Sequence, residues 1–294
     1  MEHKMNFATK LSNNKFTVCA EVNPPHGTNT LEIINDLKKI KDKVDAFNVT
    51  DNSLSRMTMS PLAFSKILLD NGLEPIMHIT CRDKNRLAMQ SELLGAYALG
   101  IRNLLALTGD AISVGNFPDA KAVFDIDSVQ LVDLISKLNK SFDLNNKGLS
   151  SRTDFLIGAA VNPNTTFVDG QILKMKKKRE HGASFFQTQP IFDVDKYKKF
   201  INKIKKIKQL QNVKIICGII ILKSVKHAHF LNKKAPGIKI PERIVQDLAN
   251  AKFPEKRAIE IASNIINEVK PISQGIHFAN IDDYSVLAQF LNKL

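Results

Sequence analysis

Residues 104–110 read LLALTGD, and this stretch decides the fold. Four apolar residues run directly into a Thr-Gly-Asp triplet, which is typical of a buried strand that ends at a turn. In parallel α/β architectures, polar residues placed directly after a strand lie where ligands bind. An ordinary Gly-Asp turn has the same letters. The stretch indicates function because the same pattern recurs at the ends of four other predicted strands.

Eight apolar runs of strand length alternate with predicted helices along the 294 residues. The first helix shows the helical spacing clearly, since Leu31, Ile34, Leu37 and Ile40 form one stripe. This alternation predicts an α/β protein, a single (β/α)8 TIM barrel with extra C-terminal helical segments. A doubly wound sheet is the alternative, but no Gly-x-Gly-x-x-Gly follows the first strand. The predicted strands are 16–22, 45–49, 74–79, 104–107, 155–160, 183–187, 213–219 and 276–278.

The chain is predicted to form one domain after a short N-terminal segment. Residues 1–15 are polar and indicate an N-terminal leader or a first helix, and residues 16–294 indicate one catalytic barrel. Residues 111–126 form a long predicted loop, and loops of this length inside a compact domain usually serve function.

The third helix is predicted to begin at a cap formed by Asp83, because Asp is favoured at that position. Its apolar residues Leu87, Leu94 and Ala98 are predicted to face the core. A glycine, Gly100, follows the helix and is typical of a helix end.

Composition limits the class of protein. No apolar run reaches 18 residues, and the N-terminus has no apolar stretch of signal-peptide length, so we expect no membrane segment. Cys19, Cys81 and Cys217 are far apart and form no Cys-x-x-Cys pair, so we expect a reducing cytoplasm and neither disulfides nor zinc. The strand ends carry no His/Cys/Asp ligand cluster, which argues against a catalytic metal.

The net charge is +13, and lysines supply most of it. Such a charge suits an acidic partner, either nucleic acid or a polyanionic small molecule. The lysines of 203–208 interleave with Ile204 and Ile207 at helical spacing, which favours a solvated helix face. Aromatic residues do not alternate with the basic ones, so we expect no nucleic-acid groove.

Polar side chains end five of the predicted strands. They are Glu21, Thr50 with Asp51, His78 with Thr80, Thr108-Gly109-Asp110, and Gln187 with Gln189. In a barrel the carboxyl ends of all strands meet on one face around the axis. We therefore expect these side chains to form one site.

The residue types at these ends suggest roles. Glu21 lies in an otherwise apolar strand, and partial burial raises the pKa of a carboxyl, which suits a general acid. A carboxylate paired with a lysine is the alternative. His78 is either a general base or, as we favour, a hydrogen-bonding positioner. The amides of Gln187 and Gln189 suit a planar heterocycle, although both could be turn residues before Pro190.

Five segments together resemble the methylenetetrahydrofolate reductase family, in that family's order. They are AEVNPP (20–25), VTD (49–51), HITCR (78–82), LALTGD (105–110) and TQPIFD (188–193). The resemblance implies a cytoplasmic flavoprotein of one-carbon metabolism and methionine biosynthesis. It would reduce 5,10-methylenetetrahydrofolate to 5-methyltetrahydrofolate with FAD, or FMN, and with NADH or NADPH as reductant. Residues 16–294 would then be the flavin- and folate-binding barrel.

The resemblance also implies site residues. Glu21 matches the catalytic acid, and Asp110 matches an aspartate beside flavin and pterin. Glu21, Asp110 and Gln189 would bind substrate. The cofactor-binding positions would be Thr50, Asp51, His78, Thr108, Gly109, Asp110 and Lys178, with Lys178 at a flavin phosphate.

The chain departs from the family pattern at several positions. Thr108 stands where an arginine is frequent, Asp51 where a tyrosine is frequent, and Asp282-Asp283 where Asn-Arg is usual. Residues 114–131 look like a branch of the family fused to, or partnered with, other C1 enzymes. A partner-supplied electron donor or a C1-enzyme subunit is therefore left open. We also expect a homo-oligomer.

Three alternatives remain open from the sequence. The first is a reductase that acts on another C1-carrying pterin. The second is a flavin-free folate- or pterin-binding methyl-transfer barrel. The third is a basic nucleic-acid-binding or assembly subunit without chemistry, which only the net charge supports.

Overall fold

Eight parallel strands close into a barrel, which confirms the predicted fold class. The computed structural model describes residues 5–279, 281 and 283–292. The strands are β1 (Thr17–Val22), β2 (Ala46–Val49), β3 (Pro75–Thr80), β4 (Asn103–Leu107), β5 (Leu156–Val161), β6 (Phe185–Pro190), β7 (Lys214–Ile219) and β8 (Gly275–Phe278). Each strand pairs with the next, and β8 closes the barrel by pairing with β1. The largest difference from prediction is at β6, which continues past Gln187 to Pro190 because a register shift carries the pairing onward.

Helices surround the barrel and follow the predicted order. They are α1 (Phe7–Ser12), α2 (Leu31–Ile40), α3 (Pro61–Asp70), α4 (Arg86–Ala98), α5 (Ser128–Asn139), α6 (Val168–Glu180), α7 (Val194–Lys205), α8 (Val225–Lys234), α9 (Glu242–Ala249), α10 (Pro254–Val269) and α11 (Tyr284–Leu291). The extra segments α8–α10 lie between β7 and β8. Among the described residues, none of the helices has both the length and the apolar character needed to cross a membrane.

Successive side chains of each strand point alternately outward and inward, so the barrel has two apolar layers. Outward residues pack under the helices, and inward residues at the N-terminal end form a separate cluster with α1. In that cluster the rings of Phe7 and Phe185 meet edge to face at 5.6 Å. The backbone N–H of Phe7 donates to the Glu74 carboxylate at 2.9 Å. A first helix was one of the two alternatives for residues 1–15, and residues 7–12 form such a helix. It closes the N-terminal end of the barrel.

Glycine makes room inside this lower layer. A Cβ atom at Gly158 of β5 would lie 2.2 Å from the Phe185 ring. The ring fills the space that a side chain on β5 would otherwise take, so the lower half of the barrel is a packed core. The open space lies in the upper half.

The predictions for α4 were wrong in two respects. Its cap is Asn85, whose side chain accepts from the Ala88 N–H, because the Asp83 carboxylate is bound by Arg82 instead. Its predicted inward residues are exposed, with Leu87 at 74%. The buried residues are Met89, Leu93 and Ala96. Apolar residues lie on both faces of this helix, so spacing alone does not indicate which face packs.

Candidate active site

A cavity of about 420 Å³ opens at the C-terminal ends of the strands. The predicted site residues all line it: Glu21, Thr50, Asp51, His78, Thr108, Gly109, Asp110, Lys178 and Gln189. They come from five strands or strand ends and one helix. The barrel therefore gathers residues that are more than half the chain apart in sequence around one space.

A pair of amides crosses the floor of this cavity. Asn48 of β2 and Gln187 of β6 exchange two hydrogen bonds, Asn48 Nδ2 to Gln187 Oε1 at 3.1 Å and Gln187 Nε2 to Asn48 Oδ1 at 3.0 Å. These strands are four apart in the closed sheet and so lie opposite each other. Gln187 lines the cavity as predicted, and one N–H and the oxygen of its amide are bound by Asn48, so binding of a ligand by Gln187 stays a prediction. Asn48 was missed, although a polar residue in the run AFNV was a signal.

Two buried histidines stand in the cavity wall. Burial lowers the pKa of His78 to about 3, with a further contribution from His277, and burial lowers the pKa of His277 to about 4. Both imidazoles are neutral at pH 7 and therefore weak bases, which favours the positioning role for His78. His78 Nε2 and His277 Nδ1 are buried atoms with no hydrogen-bond partner in the described part of the chain. His277 was missed by the sequence reasoning.

A buried arginine ties together the loops around the cavity. Arg82 is 1% exposed, and its Nε and Nη2 donate to the Asp83 carboxylate at 2.8 and 2.7 Å. Nη1 donates to Ser55 Oγ at 3.0 Å, and Nη2 donates to the Asn52 carbonyl at 3.2 Å. Nη1 also lies 3.5 Å from the Asp110 carbonyl oxygen. Arg82 thus holds the loop after β2 against the loop after β4, and no pattern in the sequence indicated this role.

The two aspartates of these loops are held differently. Asp110 Oδ2 accepts from the Leu54 N–H at 3.0 Å, and Leu54 has a left-handed backbone with φ 52°. Asp51 Oδ2 accepts from both the N–H and the hydroxyl of Thr80, each at 2.9 Å. Asp51 is 5% exposed. Its carboxylate fixes the end of β3, whereas Asp110 is only partly buried.

The part of the cavity at the ends of β4 and β5 suits an anion. Lys178 of α6 is 6% exposed, and its Nζ donates to the Ala160 carbonyl at 3.3 Å. Burial, with Lys174 nearby, lowers the pKa of Lys178 to about 8. Thr108 Oγ1 donates to the hydroxyl of Ser128, the first residue of α5, at 3.2 Å. The buried ammonium and these two hydroxyls line the same cavity, and such a set of donors suits a phosphate group.

Glu21 and Gln189 line the cavity from β1 and β6. Glu21 is the last residue but one of β1 and is partly exposed, and the Tyr284 hydroxyl donates to its backbone carbonyl at 3.1 Å. Gln189 packs beside Gly237 in the loop after α8, where an added Cβ would lie 3.3 Å from Gln189 Cγ. This loop lines the cavity and covers Gln189.

The acidic pair near the C-terminus is described only in part. Asp282 lies outside the described residues. The Asp283 side chain accepts from the Ser285 N–H at 2.8 Å and caps α11. Hydrogen bonds from Ser285 lower the pKa of Asp283.

Comparisons with known proteins agree with the segments identified in the sequence. A family model described as methylenetetrahydrofolate reductase matches residues 6–294. "Methylenetetrahydrofolate reductase 1" of Schizosaccharomyces pombe is 24% identical over 245 residues, which are 80% of this chain and 38% of that protein. "5,10-Methylenetetrahydrofolate reductase" of Buchnera aphidicola subsp. Baizongia pistaciae is 26% identical over 235 residues, 75% of this chain and 72% of that protein. The chain thus spans little more than a third of the yeast relative.

Solved structures show the same fold. A protein from Clostridium thermocellum, described as binding two copies of 5-methyl-5,6,7,8-tetrahydrofolic acid, superposes with a TM-score of 0.66 at 19% identity. The match covers 96% of this chain and 95% of that one. A riboflavin lyase matches with a TM-score of 0.57 at 9% identity, over 94% and 90% of the two chains.

Proposed function

Because the chain belongs to the methylenetetrahydrofolate reductase family, we propose that it reduces 5,10-methylenetetrahydrofolate to 5-methyltetrahydrofolate with a bound flavin. The observation that carries this proposal is that one cavity combines acidic and amide side chains with a buried cation. Glu21, Asp110 and Gln189 line it together with the buried cation Lys178. The Clostridium thermocellum protein of the same fold, described as binding methyltetrahydrofolate, supports a folate ligand.

The residues present suit a flavin. The neutral His78 imidazole, whose Nε2 has no hydrogen-bond partner among the described residues, favours a heterocycle that offers N–H and carbonyl groups. Lys178 and the hydroxyls of Thr108 and Ser128 favour the phosphate that both FAD and FMN carry. We propose that Thr50, His78 and residues 108–110 contact the ring system of the flavin. Asp51 is proposed to act indirectly, because its carboxylate holds Thr80 at the end of β3. The flavin, when bound, supplies hydride transfer from NADH or NADPH to the folate.

Glu21 is proposed as the proton donor. Opening the five-membered ring of the folate substrate requires a proton on the nitrogen that leaves the bridging carbon. The Glu21 carboxyl lines the cavity at the end of β1, so it can deliver this proton to a bound substrate. The product of ring opening is a cationic iminium, which is the form that accepts hydride.

Asp110 and Gln189 are proposed to bind and orient the pterin. The Asp110 carboxylate can accept from the N–H groups of the pterin, and its negative charge stabilises the adjacent iminium cation. The hydrogen bond from the Leu54 N–H fixes its direction before substrate arrives. The Gln189 amide can both donate and accept, which suits a heterocycle with mixed groups.

An absorption spectrum of the purified chain tests the cofactor proposal. We expect a yellow protein whose visible bands bleach when NADH or NADPH is added. A chain that contains no flavin, and takes up neither FAD nor FMN on reconstitution, contradicts the proposal. Binding of 5-methyltetrahydrofolate by such a chain would favour the methyl-transfer barrel.

Substitution Glu21→Gln tests the proton donor. We expect flavin reduction by the nicotinamide to survive, while folate turnover falls by about 100-fold or more, because only the second half-reaction needs the proton. Stopped-flow absorbance measures the two half-reactions separately. Glu32→Gln, at an exposed position on α2, is the matched control and should leave both rates unchanged. Equal loss of both half-reactions in Glu21→Gln contradicts the assigned role.

A further inference from the structure

Strand β6 contains an irregularity next to Gln189. Gln187 pairs with Ile216, but Pro190 pairs with Gly218, so β6 carries one extra residue between these pairs. Thr188 holds the irregularity in place. Its hydroxyl donates to the Gln189 carbonyl at 2.8 Å and accepts from the Gly218 N–H at 3.0 Å. Bulges of this kind redirect the side chains around them.

A third bond to Thr188 comes from two strands away. His277 Nε2 of β8 lies 2.9 Å from the Thr188 carbonyl oxygen of β6. Strand β7 lies between them, and at this level it carries Gly218. A Cβ there would lie 2.6 Å from the same carbonyl oxygen. The glycine therefore leaves the path open for the imidazole to cross β7.

This contact also fixes the protonation of the ring. A carbonyl oxygen only accepts, so Nε2 must carry the hydrogen and donate it. In the neutral ring Nδ1 then has a lone pair and no hydrogen. His277 is 7% exposed and lines the cavity.

We propose that His277 is the positioning residue for Gln189, acting through the Thr188 carbonyl. The proposal rests on the proposed role of Gln189 in folate binding. Without the imidazole donor, the buried Thr188 carbonyl loses its partner from β8, which is one of the three bonds that hold Thr188 in the bulge. Gln189 is the next residue, so its side chain is held less firmly in the cavity.

Two substitutions separate positioning from other roles. The amide nitrogen of Gln reaches approximately where imidazole Nε2 lies, whereas that of Asn stands at the place of Nδ1. His277→Gln should keep the bond to Thr188 and His277→Asn should lose it. The dissociation constant for 5-methyltetrahydrofolate, measured by calorimetry on the chain as purified, should rise about tenfold in His277→Asn and stay within about twofold in His277→Gln.

A double-mutant cycle with Gln189→Ala identifies the route of the effect. If His277 acts through Gln189, His277→Asn should weaken binding no further in the Gln189→Ala background. Additive losses, or an unchanged dissociation constant in His277→Asn, overturn the inference while leaving the proposed function standing. If the unmodified chain binds no 5-methyltetrahydrofolate, the proposed function fails and the inference fails with it.

A further measurement does not depend on the folding of any variant. Nitrogen-15 chemical shifts of the histidine rings in the unmodified chain report which ring nitrogen carries the hydrogen. We expect Nε2–H for His277. Finding the hydrogen on Nδ1 overturns the inference, because Nε2 could not then donate to Thr188.

Discussion

Acid should destabilise this barrel through its two neutral histidines. An unfolded histidine has a pKa near 6.5, whereas the folded values are about 3 for His78 and about 4 for His277. Below pH 6.5 the unfolded chain therefore binds protons that the folded chain does not. The free energy of unfolding must fall as the pH falls, and the loss levels off only near the folded values.

The size of the effect follows from these pKa values. At pH 5 an unfolded histidine is protonated about 30 to 1, while either folded ring is still almost entirely neutral. Each histidine then lowers the free energy of unfolding by about 2 kcal/mol relative to pH 7.5, or about 4 kcal/mol for both. The result depends little on the exact folded pKa, because pH 5 lies above both values.

Urea unfolding at pH 7.5 and pH 5 measures this difference. In His78→Gln or His277→Gln, the drop in the free energy of unfolding between the two pH values should be about 2 kcal/mol smaller than in the unmodified chain. Each protein is compared with itself at the two pH values, so a pH-independent cost of the substitution cancels. His229→Gln is the control, since this ring is exposed on α8 and should change nothing. An equal drop in all four proteins would refute the reasoning.

Three further predictions concern the site and the core. Asp110→Asn should raise KM for the folate and slow its turnover, because the charge is lost while the Leu54 N–H retains an acceptor; unchanged steady-state kinetics would remove Asp110 from the site. Lys178→Met should weaken FMN binding by about tenfold or more. In the unmodified chain, affinity for FMN in equilibrium titrations should fall as the pH rises past about 8, where Lys178 loses its charge, and this dependence should vanish in the variant. Gly158→Ala should lower the free energy of unfolding by about 1–3 kcal/mol, because its Cβ meets the Phe185 ring, whereas Gly148→Ala meets nothing; equal urea midpoints would contradict this packing.

The barrel was predictable because each strand can be recognised from a few consecutive residues. Each strand is an apolar run ended by polar or turn residues, and the number of runs limits the architecture. The polar residues at their ends could be grouped without knowing any contact, since parallel strands place their carboxyl ends together. Glu21, Asp110 and Gln189 were found in this way.

The partners of site residues were not predictable, because they come from strands far apart in sequence. Nothing near Gln187 indicates that Asn48, on the opposite side of the barrel, binds its amide. The same holds for His277, whose path to β6 depends on a glycine in a third strand. Arg82 reads as a surface residue after a strand, and only the packing of two loops makes it a buried one.

The N-terminal helix has a consequence for the order of folding. Six residues are too few for a helix to be stable alone in water, so α1 needs its contacts with Glu74 and Phe185. The contact with Phe185 exists only after β6 has joined the sheet. Residues 7–12 precede β6 in the chain but become ordered only when the strands have closed around Phe7. Hydrogen exchange at the Phe7 amide would accordingly follow the opening and closing of the whole barrel.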